Sequence, residues 1–271
     1  MTVGSSVKYT PKELSANVNV THVSPLRELV LLLGALLGIC VVAYLVLGAC
    51  VDLVVPRISV DVEQRLGLLF SGLYANELRS AESGRLQAMV DGLAAQIADR
   101  PDCYRMHVIA HEQVNAVALP GGHIAVFTGL LKEVGSQDEL AFVLAHELGH
   151  FVHRDHLRGI GRGLVLWCVS ALLLGADNSI TGIIGQSLSG VQLKFSRAQE
   201  TRADLFALDL MHRRYGSVAG AQAFMRRIAE KERMGRLAYY FATHPHPQDR
   251  MAAIVAHTGK KGYRVQAGDA D

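Results

Sequence analysis

Cysteine is scarce in this chain, and a strong excess of either charge is absent. The four cysteines form no Cys-x-x-Cys pair, so the sequence offers no thiolate zinc site. The formal net charge is only +2, which gives no electrostatic basis for binding nucleic acid. No internal repeat or low-complexity tract is evident. Histidine and carboxylate side chains therefore remain as the candidates for chemistry.

Proline is missing between Pro120 and Pro245, and this long stretch is helical in character. Half of all residues are hydrophobic, which is high for a soluble enzyme and suggests a membrane segment. The segment from Leu29 to Val51 carries no charge and would span roughly 35 Å as a helix, enough to cross a bilayer. We expect a flexible tail over residues 1–28, a transmembrane helix over 29–55, the main domain over 57–258 and a C-terminal tail over 259–271.

The N-terminal apolar segment has competing interpretations. A cleaved signal peptide has an apolar core of only about 7–15 residues, shorter than this one. Leu47-Gly48-Ala49-Cys50 is similar to a bacterial lipobox, which would make Cys50 a lipidated N-terminus. The basic residues flanking the span slightly favour a single-pass bacterial inner-membrane helix with the main domain in the periplasm. Those before it are Lys8, Lys12 and Arg27, and those after it are Arg57 and Arg65.

A His-Glu-x-x-His motif lies at residues 146–150, within a helical pattern. Residues four apart lie on the same face of a helix, so His146 and His150 can bind one metal ion together. Glu147 lies beside them, where it can take a proton from a water molecule instead of binding the metal. The alternative is an ordinary helix that carries two histidines by chance.

The segments around this motif predict a mostly helical fold with a small sheet. Ser136 and Glu139 have the pattern of a capping box at the start of the motif helix. The apolar stripe in residues 84–100 predicts an earlier helix. We expect strands over residues 106–109, 114–119 and 123–128, with a turn at Pro120-Gly121-Gly122.

Two apolar runs follow the motif helix, over residues 164–176 and 180–193. Each is short for a transmembrane helix. One interpretation is a buried or amphipathic pair of helices that covers the metal site, and the other is a hairpin that dips into the membrane. The length of the runs favours the first.

A catalytic zinc ion uses three protein ligands and keeps one position open, so a third ligand must come from elsewhere. Glu200 and Asp204 are four residues apart in a predicted helix and share a face. Glu200 can bind the metal, and Asp204 can accept a hydrogen bond from a ligand imidazole. Both could instead be exposed helix carboxylates, which is the usual place for these residues. With three ligands assigned, His153 and His156 are expected on the surface.

These motifs resemble those of the membrane-associated zinc metallopeptidases, the family that includes the CAAX prenyl protease and the bacterial stress protease HtpX. The resemblance covers roughly residues 85–257, in the expected order. The matching segments are the His-Glu-x-x-His motif, Glu200 with Asp204, Thr243-His244-Pro245-His246-Pro247 with Arg250, and Asn115–His123. This chain has one confident membrane span, whereas the CAAX protease and HtpX have more. It is therefore most similar to the single-anchor quality-control type.

The resemblance implies an α+β, mostly α, zincin-like domain of the gluzincin type, with its small sheet packed on the motif helix. It implies one Zn²⁺ per chain, bound by His146, His150 and Glu200, with Glu147 as the general base. Asp204 would support one of the ligand imidazoles.

His244 and Arg250 are implied to be further catalytic residues near the metal. His244 could donate to the oxyanion or transiently cap the zinc, and the sequence does not separate its role from that of His246. Substrate is expected to add as a strand along an exposed sheet edge, for which the segment over residues 122–128 is the candidate. The expected substrate-binding residues are Gly121, Gly122, His123, Ile124 and Ala125.

The implied function is a membrane-anchored zinc endopeptidase that cleaves misfolded or exposed polypeptides. Its partners would be polypeptide substrates and the lipid bilayer, without nucleic acid, and the oligomeric state stays open. One alternative is a chaperone-like membrane protein that binds unfolded chains with latent or no proteolysis. Another is a zinc hydrolase that acts on amides other than peptides.

Overall fold

The computed structural model describes residues 9, 24–72, 77–98, 104–189, 195–232, 243–244 and 247–265. The chain divides into two compact units, Met1–Ala43 and Tyr44–Asp271. Most of the described part of the first unit belongs to helix α1 (Pro25–Val54), which has no buried residue and continues into a 3-10 turn at Val55–Arg57. The transmembrane helix expected over residues 29–55 falls within this segment.

The second unit is built from helices around one small sheet. In chain order its further elements are α2 (Val60–Leu68), α3 (Ala81–Ala94), β1 (Arg105–Ile109), β2 (Ala116–Leu119), β3 (His123–Phe127), α4 (Thr128–Glu133), α5 (Gln137–Val152), α6 (Asp155–Leu174), α7 (Ser179–Ser189), α8 (Arg197–Tyr215), α9 (Ala219–Glu232) and α10 (Pro247–Lys261). The mostly helical α+β fold expected from the sequence is confirmed. Pro101 and Cys103, between α3 and β1, lie outside the described residues.

The sheet has the strand order β1-β3-β2. β3 pairs with β1 in parallel and with β2 in antiparallel orientation. The β2–β3 turn contains Gly121 and Gly122 at φ 83° and 82°, in the left-handed region that glycine adopts without strain. Because β3 is the central strand, its backbone groups are already paired on both sides. The expected exposed edge is therefore not at residues 122–128, and the substrate-binding role of these residues stays a prediction.

The two faces of the sheet bury different residues, as the two-residue period of a strand requires. Ile124 and Val126 of β3 belong to the main core, which also contains residues of α3, α5, α8 and α9. Ala125 and Phe127 lie on the opposite face in a small cluster with Phe70 packed against it. The sheet thus supports α5, the helix that carries the His-Glu-x-x-His motif.

Close packing of α5 on α8 depends on small residues at their crossing. A Cβ atom at Gly149 would lie 3.0 Å from Ala203 Cα and 3.1 Å from its carbonyl oxygen. Any larger side chain at Gly149 would therefore push the two helices apart. This contact brings the first turn of α8 up to the histidines of α5.

Serine residues begin both of these helices. The Ser196 hydroxyl accepts a hydrogen bond from Gln199 N, and the Gln199 side chain accepts one from Ser196 N, which makes a full capping box for α8. At α5, Ser136 Oγ accepts from Glu139 N as expected. The Glu139 carboxylate accepts from Gly135 N and pairs with Arg227, so the expected return bond to Ser136 is replaced.

Helices α6 and α7 differ from the buried pair favoured by the sequence. α6 is a continuous helix of 20 residues, longer than the apolar run over 164–176. Its first turn is buried, but Leu172 near its end is 87% exposed. Within the described part of the chain, Pro25–Arg57 and Asp155–Leu174 are long and apolar enough to cross a membrane. The far end of the pair is therefore not buried, whereas the amphipathic interpretation and the membrane hairpin both stay predictions. Residues 190–193 of the second run lie outside the described residues.

Candidate metal centre

The two histidines of α5 lie at the centre of a buried polar cluster. His146 and His150 are 2% and 0% exposed, and their Nε2 atoms are 3.1 Å apart. One helical turn separates the two residues, so both rings project from the same face of α5. The imidazole rings meet edge to face, with centroids 4.6 Å apart.

Two further side chains complete the cluster. Glu200 of α8 has Oε1 3.4 Å from His150 Nε2 and Oε2 3.7 Å from His146 Nε2. His244, which is 1% exposed, has Nδ1 3.1 Å from Glu200 Oε1 and 3.4 Å from His146 Nε2. One potential ligand atom from each of these four residues lies within 4.8 Å of the others.

The spacing of these atoms suits a metal ion. Around a tetrahedral zinc with bonds of about 2.0–2.1 Å, ligand atoms lie about 3.3–3.4 Å apart. The individual contacts described above measure 3.1 to 3.7 Å, and all four atoms lie within 4.8 Å of one another. Three imidazole nitrogens and one carboxylate oxygen are also ligands that zinc accepts. The residues present therefore fit a metal ion, and His244 would take the position that a catalytic zinc site leaves open.

Asp204 and Arg250 lie directly behind the cluster. His146 Nδ1 is 2.8 Å from Asp204 Oδ1, so His146 can donate its Nδ1–H and keep Nε2 for a metal. Arg250 donates to both carboxylate oxygens of Asp204, from Nε and Nη2, at 2.7 Å each. Its Nη1 is 2.7 Å from Glu200 Oε2. One buried guanidinium thus pairs with two buried carboxylates.

Asp155 is a residue of the site that sequence reasoning missed. Its Oδ2 is 3.1 Å from His150 Nδ1, the same relation that Asp204 has to His146. Asp155 is fully buried, and its Oδ1 accepts hydrogen bonds from Gln199 and Arg202 of α8. The sequence signal that could have identified Asp155 was its position, five residues after the second motif histidine and at the start of the next helix. Each motif histidine therefore has its own carboxylate partner.

An aromatic ring covers one side of the cluster. Phe195 stacks on His150 with ring centroids 3.9 Å apart and an interplanar angle of 15°. Phe195 N donates to the Thr243 carbonyl, which joins the start of α8 to the Thr243–His244 segment. Thr243 Oγ1 in turn lies 3.5 Å from Asn115 Oδ1, next to β2. No sequence motif indicated that Phe195 belongs to the site.

The charges around the cluster set the protonation of its members. Burial acts to raise the pKa of Glu200, but the charges of Arg250 and His244 hold it well below its ordinary range. Burial lowers the pKa of His146, against the opposing effect of Asp204. Burial also acts to lower the pKa of His150, but its hydrogen bonds to Asp155 and Glu200 raise it to about 9. His150 is thus protonated at neutral pH in the metal-free protein, and metal binding must release that proton.

Glu147 lies beside the cluster and is not one of its four residues. It is 1% exposed, and its Oε1 lies 3.8 Å from His244 Nε2. Its Oε2 is buried and has no hydrogen-bond partner among the residues that the structure describes. A buried carboxylate oxygen without a partner is costly, so the atom marks a place where a polar group or water would be stabilised.

The residues expected to bind substrate lie away from these contacts. Gly121 and Gly122 form the turn, Ile124 packs in the main core, and Ala125 faces the opposite side of the sheet. His123 Nδ1 is 2.9 Å from His107 Nε2. Burial is the larger cause that lowers the pKa of His123 to about 4, and the charge of His107 is the next.

The two histidines beyond the motif are not on the surface as expected. His156 is fully buried and its Nε2 is 3.0 Å from Glu63 Oε1. His153 is partly buried, with Nδ1 2.7 Å from the Gly149 carbonyl. His246 lies outside the described residues. A buried imidazole needs a hydrogen-bond partner, and Glu63 of α2 is the partner of His156. This contact joins α6 to α2.

A helix with the His-Glu-x-x-His motif, a glutamate from a second helix and a small supporting sheet define a zincin-like metallopeptidase domain. Comparison with known sequences assigns the domain more closely. A model of Peptidase family M48 matches residues 80–258, and the chain belongs to this family.

Characterised relatives share this region. The chain is similar to the mitochondrial metalloendopeptidase OMA1 of Schizosaccharomyces pombe, with 34% identity over 56% of this chain and 45% of the relative. It is similar to the metalloprotease LoiP of Escherichia coli, with 30% identity over 62% of this chain and 70% of the relative. The beta-barrel assembly-enhancing protease of Yersinia pestis is 26% identical over 55% of this chain and 33% of the relative. The chain thus spans less than half of two of these three relatives.

Proposed function

We propose that this chain is a membrane-anchored zinc endopeptidase that hydrolyses peptide bonds in misfolded or exposed polypeptides. The observation that carries the proposal is the buried cluster of His146, His150, Glu200 and His244, with the Glu147 carboxylate beside it. Membership of a peptidase family and the names of its relatives, which are metalloendopeptidases and proteases, support the same reaction.

The proposal includes α1 as the anchor, in a bacterial inner membrane with the catalytic residues on the periplasmic side. The length and apolar composition of α1 support a membrane-spanning role. The small excess of basic residues before the span supports a cytoplasmic N-terminus. These residues are Lys8, Lys12 and Arg27, against Arg57 and Arg65 after it.

In the proposed reaction, His146, His150 and Glu200 would hold a zinc ion, which when bound would lower the pKa of a water molecule and polarise the scissile carbonyl. Asp204 and Asp155 hold the Nδ1 sides of His146 and His150, which orients both Nε2 atoms toward the metal. Glu147 takes a proton from the attacking water and delivers it to the leaving amine. Its buried position favours this role because the surroundings exclude competing bulk water.

We assign a positioning role to Arg250, in place of the catalytic role that the sequence implied. Its three guanidinium nitrogens face Asp204 and Glu200, so it acts through these carboxylates. With Glu200 Oε2 next to Arg250, Oε1 is the oxygen nearest His150 and His244. His244 occupies the fourth position of the cluster, and the proposed reaction requires it to leave so that water can enter.

The proposed path of the substrate is the outer edge of β2. Phe127 N donates to the Asn115 carbonyl, so the alternation of an antiparallel ladder directs the backbone groups of Ala116 and Ala118 away from β3. Among the described residues, no strand pairs with that edge. Thr243 lies against Asn115, so movement of the Thr243–His244 segment would open both this end of the edge and the metal site.

Metal removal tests the proposed function. The full chain in detergent micelles is expected to contain a single zinc ion per chain by mass spectrometry and to cleave unfolded casein. Chelation with 1,10-phenanthroline should abolish cleavage, and added zinc should restore it. Products cut at internal peptide bonds would separate an endopeptidase from a hydrolase of other amides. Absence of zinc, or cleavage that survives full chelation, would contradict the proposal.

Replacement of Asp155 by Asn is expected to weaken zinc binding about 10–100-fold, because His150 loses its carboxylate partner. Competition with a fluorescent chelator measures the affinity, and the denaturation midpoint of the metal-free chain reports any separate loss of stability. Asp249→Asn is the matched control, because that side chain is 60% exposed and pairs with Arg197, which is itself 68% exposed. An unchanged affinity in Asp155→Asn would show that Asp155 does not support the ligand.

A further inference from the structure

Helices α6 and α7 form a hairpin whose far end is apolar and exposed. Between residues 163 and 183 the sequence has one charged residue, Asp177, at the turn. Leu172 is 87% exposed, and Leu173 and Leu174 are about half exposed. Among the described side chains of the hairpin, Leu164, Leu166, Trp167, Ile180 and Ile183 are also exposed. A continuous apolar surface of this kind requires a partner.

The base of the hairpin shows which partner is near. Arg154 Nη1 donates to the Val55 carbonyl, and Arg162 Nη2 is 2.7 Å from Asp52 Oδ2. A Cβ atom at Gly161 would lie 2.7 Å from Val51 Cγ1. As residue numbers rise along α6, those of its contacts fall from Val55 to Val51. α6 therefore runs antiparallel to the last turns of α1.

We propose that the α6–α7 hairpin inserts its apolar end into the acyl chains of the bilayer that holds α1. The proposal rests on the anchoring of α1, which is part of the proposed function. Because α6 runs back along the turns where α1 ends, its apolar half points in the direction of Tyr44, the first residue of α1 in the same unit. If a second copy of the chain covered the apolar end instead, α6 would not need to run alongside the end of α1.

The length and charge of the hairpin predict that it dips into the bilayer without crossing it. Twelve residues separate Arg162, beside Asp52, from Leu174, which corresponds to about 18 Å of helix. The hydrocarbon layer is about 30 Å thick. Asp177 at the turn also opposes deep insertion, because a carboxylate is costly near the bilayer centre. Arg158 and Arg162 at the base, 21% and 40% exposed at their side chains, suit the headgroup level.

The consequence for the protein is a catalytic site held close to the membrane surface. Asp155, which contacts His150, is the first residue of α6. The hairpin and the carboxylate partner of a metal-site histidine are therefore parts of one helix. Insertion would fix the start of α6 at the bilayer surface and favour polypeptide segments that emerge there as substrates.

Trp167 makes the test specific, because it is the only tryptophan of the chain and lies on α6. A Cβ atom at Gly185 of α7 would be 3.3 Å from its Nε1, so it reports on the hairpin. The full chain is reconstituted into phosphatidylcholine vesicles with acyl chains brominated at defined depths. We expect brominated lipid to quench most of the Trp167 fluorescence and aqueous iodide to quench little. Leu172→Asp should reduce the lipid quenching, whereas Val255→Asp, a change at another exposed apolar side chain, should not.

Flotation of the vesicles separates this inference from the proposed anchoring. Protein that fails to float with the vesicles would contradict the anchoring by α1. Protein that floats while Trp167 is quenched by iodide and not by brominated lipid would overturn the hairpin insertion alone. Protection of Trp167 from both quenchers would show that protein covers this face, and would also overturn it.

Discussion

Replacement of Glu147 by Gln is expected to lower kcat/KM for casein about 10³-fold, within the range that general acid–base catalysis contributes. The amide keeps the shape of the side chain but cannot take a proton from the attacking water. Glu147 is not among the four grouped residues, so zinc content should stay unchanged. Cleavage is followed by the release of fluorescent peptides, and zinc is measured by mass spectrometry on the same samples.

Glu112→Gln is the control for this experiment, because the Glu112 side chain is 85% exposed and pairs with Lys132 on the surface. It should leave both cleavage and zinc content unchanged. Undiminished cleavage by Glu147→Gln would contradict the assignment of the base. Loss of zinc together with cleavage would instead make Glu147 a ligand.

The same variant separates a peptidase from a chaperone-like binder. A peptidase that loses only its base should still bind unfolded casein, so Glu147→Gln is expected to retain binding while losing cleavage. If the unmutated protein binds casein and holds zinc but does not cleave, the binding function gains support, or His244 keeps the site closed. In the structure, His244 contacts His146 and Glu200 and so occupies the fourth position of the cluster. A site that His244 keeps closed is therefore an arrangement that can be measured.

Replacement of Arg250 by Met is expected to destabilise the metal-free protein by about 3–5 kcal/mol, because two buried carboxylates lose their countercharge. Arg250 is 1% exposed and contacts both Glu200 and Asp204 at 2.7 Å. Urea denaturation in detergent micelles at neutral pH measures the difference. Arg197→Met is the control: the Arg197 side chain is 68% exposed, so the effect should stay within about 0.5 kcal/mol.

The pH dependence of that difference has a defined sign. Arg250 holds the folded-state pKa values of Glu200 and Asp204 below their ordinary ranges, so each contributes stability above its unfolded-state pKa. That stability is lost as the pH falls through the folded-state values. The gap between the unmutated protein and Arg250→Met should therefore shrink from neutral pH toward acid. A gap under about 1 kcal/mol at neutral pH would contradict the role given to Arg250.

Local sequence patterns were sufficient for the parts of the site that lie on one helix. The four-residue spacing of His146 and His150, and of Glu200 and Asp204, is a property of helical geometry alone. The structure places both pairs on helices and brings the pairs together. Ser136 and Ser196 begin these helices through bonds to residues three positions on, which is also local.

Contacts between distant segments could not be read in this way. Side-chain alternation and the Pro120-Gly121-Gly122 turn predicted three strands, but pairing of β3 with β1 on its other side is a long-range contact. For this reason the sequence placed a central strand at the sheet edge. The exposure of the hairpin could not be predicted, because an apolar run has the same composition whether it packs in a core or lies exposed.

The sequence by itself determined the chemical groups available to this protein: a helix with two histidines that can bind a metal, a glutamate beside them and an apolar segment that can span a membrane. Only the tertiary structure decided that Asp155 and Asp204 each contact one histidine and that Arg250 pairs with two carboxylates. Among the described residues, it also leaves the outer edge of β2, and not β3, without a pairing strand. The reason is physical. Helical spacing depends on neighbouring dihedral angles, whereas these contacts depend on how Gly149 and Ala203 let two helices approach.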